Sequence, residues 1–191
     1  MNHTLLKYIQ NSAQTILSLE SLQPAITQAA DALITSIQQD GKILACGNGG
    51  SANDASHLVT ELIIRYKEDR VPYPAITLND SGGTITAASN DYGYDQLFAR
   101  QIAGLGKKED TLVAISTSGN SQSVINALLA AKAKKLTTIA LLGKGGGQAE
   151  GLADIQIIID SEVTAHIQEA HGVIIHLLCE HIEANIHQKK A

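Results

Sequence analysis

The stretch Thr111 to Lys132, TLVAISTSGNSQSVINALLAAK, decides the fold class of this chain. It begins with an apolar β-prone run, passes through small polar residues and a glycine, and ends with apolar residues at helical spacing. A strand that leads through a Ser/Gly loop into a helix N-terminus forms an anion site, because free N–H groups and the positive end of the helix macrodipole converge there. The alternative is an ordinary capped helix, since Ser, Thr and Asn are good N-caps. Because a cap needs only one such residue and this loop has five, phosphate binding is the preferred interpretation.

The composition of the chain limits the binding partners and the cellular location that are expected for it. Hydrophobic residues make up 44% of the 191 residues, enough for a sizeable core, and the net charge is −5. This acidity gives no bulk attraction for nucleic acid or anionic membranes, so neither partner is expected. No apolar run approaches the length of a membrane span, and the N-terminus lacks a secretory pattern. Cys46 and Cys179 are isolated in apolar surroundings, which predicts buried thiols in a reducing compartment and a cytoplasmic location.

Beyond residue 41 the chain alternates between strand-like and helical runs. The predicted strands are Ile43–Cys46, Ala75–Leu78, Leu112–Ile115, Thr138–Leu142 and Ile155–Ile159. The predicted helices cover about 52–66, 84–90 with 94–105, 121–135 and 162–187. Several strands are apolar throughout, as in strands that are covered on both faces. The sequence therefore predicts a three-layer α/β fold, Rossmann-like or flavodoxin-like, with a parallel five-stranded sheet flanked by helices.

Residues 1–40 are predicted to form an N-terminal helical extension to this core. Two stretches carry apolar residues at helical spacing, and Pro24 stands at a position where a helix can begin. Their apolar faces must cover either the sheet or a neighbouring subunit, and self-association is the prediction. Residues 42–187 then supply the α/β core and the C-terminal helix, so that 1–191 make one domain.

A second glycine-rich loop, CGNGGSA, follows the first predicted strand. Its Gly47-x-Gly49-x-x-Ala52 spacing satisfies the dinucleotide fingerprint, with Asp80 as the acidic partner. A dinucleotide does not account for the hydroxyl-rich loop at 116–121, however. Two such loops at the ends of two strands would equally enclose one phosphorylated small molecule, and that interpretation is preferred. The flexible turn at 144–147 is assigned no chemistry.

Three groups of polar residues stand where they would face the same ligand. His57 and Glu61 are four residues apart on the helix that starts at the glycine loop, so they share a face. On the last helix, Gln168 and His176 flank Gly172, which leaves space for an ion or a substrate between them. The alternatives are an exposed ion pair and a glycine that admits close helix packing. Asn90-Asp91 is a turn-forming pair that would also suit sugar hydroxyls.

Other histidines lie outside these three groups. His171 lies near the stripe of the last helix and is a possible participant in the site. His181 and His187 are expected at the surface, and His3 lies in a terminus that is expected to fray.

Four stretches together resemble the phosphoheptose isomerases, the sedoheptulose 7-phosphate isomerases of the sugar isomerase (SIS) fold. These are ISTSGNS, CGNGGSANDASHLVTELIIRY, Asn90-Asp91 and HIQEAHGVIIH. The resemblance covers nearly the whole chain. It implies a homotetramer with active sites between subunits. It also implies aldose–ketose isomerisation of sedoheptulose 7-phosphate to D-glycero-D-manno-heptose 7-phosphate, in heptose synthesis for the bacterial lipopolysaccharide core.

The resemblance also implies roles for particular residues. A zinc ion would be held by His57, Glu61, Gln168 and His176. The implied substrate contacts are Asn48, Gly49, Gly50, Glu61, Asn90, Asp91, Ser116, Thr117, Ser118, Ser121 and Gln168. One departure is visible, because His166 stands where relatives commonly have Arg, and Ala165 stands where some members have Asp. No role is carried over to those two side chains.

The residue types agree with the chemistry that the resemblance implies. Moving a carbonyl between C2 and C1 through an enediol needs a proton acceptor and a proton donor near neutral pKa, and Glu61 and His176 suit these catalytic roles. Zinc would polarise the carbonyl. Glu61 cannot easily be a tight metal ligand and a free base at once, and a Gln carbonyl is an unusual zinc ligand, so a weak or rearranging site is expected. The alternative function is a non-catalytic SIS binding protein, either a replication-initiator-binding paralogue or a sugar-phosphate sensor. Such a protein has no use for Glu61 together with His176.

Overall fold

The structure, a computed structural model, describes residues 3–186. Its helices are α1 (His3–Leu17), α2 (Gln23–Gln38), α3 (Gly50–Ile63), α4 (Gly82–Tyr92), α5 (Leu97–Leu105), α6 (Gln122–Ala133) and α7 (Thr164–Asn185). Its strands are β1 (Ile43–Gly47), β2 (Ala75–Thr77), β3 (Thr111–Ser116), β4 (Thr137–Gly143) and β5 (Ile155–Ile159). Short 3₁₀ segments occupy Ser18–Leu22, Tyr94–Gln96 and Lys144–Ala149. The predicted order of strands and helices is confirmed, and the predicted ends differ from the observed ends by at most three residues.

The five strands form one parallel sheet in the order β2-β1-β3-β4-β5. Every residue of β1 and β3 is buried, which explains why both strands are apolar throughout rather than alternating. β2 is a short edge strand, so Ile76 on its outer side is 37% exposed. The prediction of a parallel sheet covered on both faces is confirmed.

Two separate hydrophobic clusters make the outer layers. One face of the sheet packs against α2, α3 and α7, and the other packs against α4, α5 and α6. α1 lies outside the first layer and contacts α7. This three-layer arrangement with an N-terminal helical extension is the predicted fold class.

The chain order of the strands fixes where a ligand can bind. β2 pairs with one side of β1 and β3 pairs with the other, so the chain reverses direction across the sheet between these strands. Ligands in open parallel sheets bind at such a switch point, beyond the carboxyl ends of the strands. Because Gly47 is in register with Ile115, the loops that follow β1 and β3 lie side by side there.

Within residues 3–186, no helix combines the length and the apolarity that a membrane crossing requires.

Candidate active site

The loop between β3 and α6 is folded by its own hydrogen bonds. The Ser116 hydroxyl accepts from the backbone N–H of Gly119 at 3.1 Å, and the Ser118 hydroxyl accepts from that of Asn120 at 3.2 Å. Gly119 has φ +64°, in the left-handed region. Ser121 precedes α6, but its side chain makes no capping hydrogen bond. The capped-helix alternative therefore does not describe Ser121, whose hydroxyl is directed to other partners.

A glycine-rich turn, 144–149, supports the back of this loop. Ala149 N–H donates to the Gly119 carbonyl at 2.9 Å, and Gln148 N–H donates to Asn120 Oδ1 at 3.0 Å. A Cβ at Gly119 would collide with the carbonyl of Gly146. This turn, to which no chemistry was assigned, has a structural part in shaping the loop at 116–121. The feature of the sequence that indicates this support is three successive glycines just beyond a buried strand.

Asn48 links the β1 loop to the β3 loop. Its Nδ2 donates to Ser121 Oγ at 2.5 Å and to Ser123 Oγ at 2.9 Å. Its Oδ1 accepts from the Tyr94 hydroxyl at 2.6 Å. The two glycine- and serine-rich loops, which were predicted to enclose one ligand, are thus joined through an amide whose orientation is fixed. No motif in the sequence singles out Tyr94 or Ser123.

Gly49 and Gly50 begin α3 beside the N-terminal half of α7. Gly49 has φ +56°, a conformation that favours glycine. A Cβ at Gly50 would collide with the side-chain amide of Gln168. Gly50 therefore leaves the space that the Gln168 side-chain amide occupies against the start of α3.

His57, Glu61 and His176 form one cluster between α3 and α7. Each offers a ligand atom, and these atoms lie within 4.8 Å of one another. His57 Nε2 is 3.3 Å from Glu61 Oε1, and the His57 and His176 rings meet edge to face with centroids 5.0 Å apart. The shared face predicted for His57 and Glu61 is confirmed. A Cβ at Gly172 would meet nothing within 4 Å, so this glycine leaves open space and is not a helix-packing residue.

Asp54 adjoins this cluster and was missed by the sequence analysis. Burial raises its pKa to about 6, against the opposing effects of His57 and of a hydrogen bond from the Gln168 side chain. Its Oδ2 is buried and has no hydrogen-bond partner. The available signal was position, because Asp54, His57 and Glu61 are spaced at i, i+3 and i+7 along one helical face.

The donor set of the cluster fits a divalent metal ion. Two imidazoles and one carboxylate are the three-ligand set of many catalytic zinc sites, which keep a further position open. The compact arrangement of His57, Glu61 and His176 allows one ion to be shared. The orphaned oxygen of Asp54 adds unbalanced negative charge nearby, which also favours a cation.

Asn90 and Asp91 lie at the exposed end of α4. The Asn90 side chain donates to Asp91 Oδ1 at 2.8 Å. Asp91 also lines a cavity of about 350 Å³ together with Tyr92 and Arg100, and the Arg100 guanidinium stacks over the Tyr92 ring at 3.5 Å. The structure leaves both side chains exposed.

The remaining histidines have structural surroundings. His171 is fully buried, hydrogen-bonds to the Leu142 carbonyl at 3.2 Å, and has a pKa lowered to about 4 by burial. It is a core residue and not part of the cluster. His181 pairs with Asp31 at 2.8 Å near the surface. His187 lies outside the described residues, as does the side chain of His3.

The two residues that depart from the family pattern, Ala165 and His166, differ in burial. His166 is buried against Tyr8 of α1, with ring centroids 4.6 Å apart, and Ala165 is exposed. Cys46 and Cys179 are both free and buried, as predicted.

Comparison with known proteins identifies the class. The family model described as "SIS domain" matches residues 7–143. The chain is 47% identical over 172 residues to a phosphoheptose isomerase of Helicobacter pylori (strain P12), covering 90% of each protein. Solved phosphoheptose isomerases from Neisseria gonorrhoeae and Francisella tularensis superpose with TM-scores of 0.90 and 0.92 at 37% identity, covering 95% of this chain and 97% of each of those chains.

The fold, the two loops and the similar proteins all indicate the same protein family. The chain belongs to the phosphoheptose isomerase family of SIS-domain proteins, and it is an isomerase. The phosphorylated-ligand interpretation of the two loops is thereby favoured over the dinucleotide, and catalysis is favoured over a purely binding role.

Proposed function

We propose that this isomerase converts D-sedoheptulose 7-phosphate to D-glycero-D-manno-heptose 7-phosphate, for the heptose of the bacterial lipopolysaccharide core. The observation that carries the proposal is the cluster in which Glu61 of α3 and His176 of α7 share a site with His57. A proton acceptor and a proton donor at this position are what an aldose–ketose exchange requires. The names of the relatives support the substrate class.

The two joined loops would hold the substrate by its phosphate and nearby hydroxyls. Ser116, Thr117, Ser118 and Ser121 would donate to the phosphate at the α6 N-terminus, where the macrodipole favours an anion. Asn48, Gly49, Gly50, Asn90, Asp91, Glu61 and Gln168 would contact the sugar. This division of labour suits an acidic chain, because it binds phosphate through hydroxyls and backbone N–H groups instead of a basic cluster.

The proton transfers would be divided between two helices. Glu61 would remove the proton from C1 of the ketose while the C2 oxygen gains a proton, giving an enediol. Delivery of a proton to C2 and loss of the proton from the C1 hydroxyl would then give the aldehyde. His176 would serve the second proton transfer, so that atoms and charge balance within one substrate.

His57, Glu61, Gln168 and His176 would hold one Zn²⁺ per subunit. When bound, zinc would supply Lewis-acid polarisation of the substrate carbonyl. Gln168 suits this set because its side-chain amide lies against the start of α3, the helix that carries His57 and Glu61.

We also propose a cytoplasmic homotetramer in which 1–191 act as one domain and 1–40 mediate association. α1 leaves Leu5, Ile9 and Leu17 more than half exposed. An apolar groove of about 510 Å³ lies between the α1–α2 region and α7. Exposed apolar area of this kind is typical of subunit contacts. The net charge of −5 supports the absence of nucleic acid and membrane partners.

The test is direct conversion followed by NMR. The protein is incubated with sedoheptulose 7-phosphate, with and without a chelator, and we expect aldoheptose 7-phosphate to appear and to diminish after chelation. Sedoheptulose without phosphate is the matched control and should react poorly. Saturable binding of the phosphate ester without conversion, in metal-supplemented buffer, would instead support the non-catalytic alternative.

A further inference from the structure

The carboxylate of Glu183, near the end of α7, binds the segment that follows α3. Its Oε1 accepts from Tyr66 N–H and Arg70 Nε, both at 3.1 Å. Its Oε2 accepts from Lys67 N–H and Glu68 N–H, both at 3.0 Å. Each oxygen therefore receives two donors, and the side chain is only 7% exposed.

Arg70, one of the four donors to Glu183, also contacts the end of α3. Its Nη2 donates to the Glu61 carbonyl at 2.7 Å, and its Nη1 donates to the Leu62 and Val71 carbonyls at 2.9 and 3.1 Å. The last carbonyls of a helix have no partner within the helix. No glycine ends α3, whose C-cap residue is Ile64. Arg70 thus donates hydrogen bonds to the last carbonyls of α3, which in many helices accept from the N–H groups of a glycine cap. One of these carbonyls belongs to Glu61.

The same segment also reaches the second proton carrier. Tyr66 stacks against His176 with ring centroids 5.8 Å apart and an interplanar angle of 27°. Its backbone N–H is one of the four donors to Glu183. Glu183 follows His176 by seven residues on α7, about two helical turns. α7 therefore carries both His176 and Glu183, and Glu183 holds the segment whose Tyr66 ring lies against His176.

We propose that Arg70 and Glu183 are positioning residues for the acid–base pair, fixing the Glu61 end of α3 and the Tyr66 ring relative to His176. This inference rests on the proposed function. Neither residue touches the reacting atoms. They act by preventing the last turn of α3 from fraying, since displacement of a proton carrier by about 1 Å costs up to 10²-fold in rate.

The experiment compares two acidic residues of α7. Glu183→Gln keeps shape but places an NH₂ donor opposite two N–H donors and removes the charge that faces Arg70. Glu180→Gln is the matched control, because Glu180 pairs with Lys67 of the same segment, yet both side chains are more than half exposed. Arg70→Lys retains the positive charge but not the fork that reaches three carbonyls. Turnover, KM and metal affinity are measured well below each variant's melting temperature.

We expect Glu183→Gln and Arg70→Lys to lower kcat roughly 10- to 100-fold, the usual scale for residues that orient a site. KM should change little, because the phosphate loop lies on β3 and α6. Hydrogen exchange at the amides of the last turn of α3 and residues 64–70 should rise in both variants. Glu180→Gln should match the wild type.

The outcomes separate the two proposals. If the wild type is active and both variants turn over at the wild-type rate, the positioning role is wrong and the proposed function stands. If the variants only melt at a lower temperature, with kcat and exchange unchanged, Arg70 and Glu183 are merely structural and the inference is again wrong. A wild type without isomerase activity would overturn the proposed function and the positioning role with it.

Discussion

The proposed anion loop at 116–121 and the cluster of His57, Glu61 and His176 are built in opposite ways. The loop is one continuous stretch in which serine hydroxyls accept from the backbone N–H groups of Gly119 and Asn120, with support from the turn that follows the next strand. The cluster joins two helices whose residues are more than 100 positions apart. The loop is therefore shaped mainly by local sequence, whereas the cluster depends on helix packing. We expect the first to govern substrate affinity and the second to govern turnover.

The largest effect should come from the cluster. Glu61→Gln and His176→Gln should each reduce kcat roughly 10²-fold or more, because each removes a proton carrier. Isomerisation followed by NMR, with metal content measured in every sample, checks this. His181→Gln, on the same helix but paired with Asp31, is the control. A variant with near-wild-type kinetics would be removed from the catalytic pair.

Gly119→Ala tests whether the anion loop governs affinity. The new Cβ would meet the Gly146 carbonyl in a left-handed conformation, so the loop must shift away from its support. We expect KM to rise roughly tenfold with a smaller change in kcat, since one or two phosphate hydrogen bonds would be lost. Gly145→Ala shares a positive φ of 69° but meets nothing within 4 Å, and should show only a small stability loss. Equal KM values for the two variants would contradict this account.

Asp54→Asn measures how much the buried Asp54 charge lowers the free energy of unfolding. Because the folded pKa of about 6 lies above the ordinary 3.8, the folded state binds the proton more tightly than the unfolded chain does. The wild type therefore loses stability as the pH rises from about 4 to above 6. In metal-free protein we expect the variant to be more stable above pH 6 by on the order of 1–2 kcal/mol.

Thermal unfolding across pH 4 to 8 reveals whether this advantage disappears at the acid end. Asp69→Asn changes a carboxylate at an exposed position and serves as the control. An Asp54→Asn advantage that is the same at every pH would show that the buried charge is not its cause.

The smallest effect concerns the connection between the two loops. Tyr94→Phe removes the hydroxyl that donates to Asn48 Oδ1, so that only the bonds from Asn48 Nδ2 to Ser121 and Ser123 still hold the amide. Since one such bond contributes about 0.5–1.5 kcal/mol, KM should rise about two- to tenfold. Tyr92→Phe keeps the ring that Arg100 covers and should bind substrate like the wild type. A kcat change without a KM change would place Tyr94 with the proton-transfer cluster instead.

The sequence by itself determined the α/β class, the order of strands and helices, and the two loops at the switch point. Apolar periodicity and glycine placement act over a few residues, so they can be read directly along the chain. The i, i+4 pairing of His57 with Glu61 was predictable for the same reason.

Only the tertiary structure decided which distant side chains meet. Three contacts join distant residues: Asp54 lies beside Gln168, Tyr94 donates to Asn48, and Glu183 binds the segment after α3. Their partners are 46 to 117 positions apart. The packing of α7 across the sheet face sets the contacts of Gln168 and Glu183, and burial then changes the chemistry of the groups it encloses, as in the raised pKa of Asp54. Neither the packing angle of a helix nor the burial of a particular carboxyl is encoded in a local pattern, because both depend on how all the apolar faces fit together.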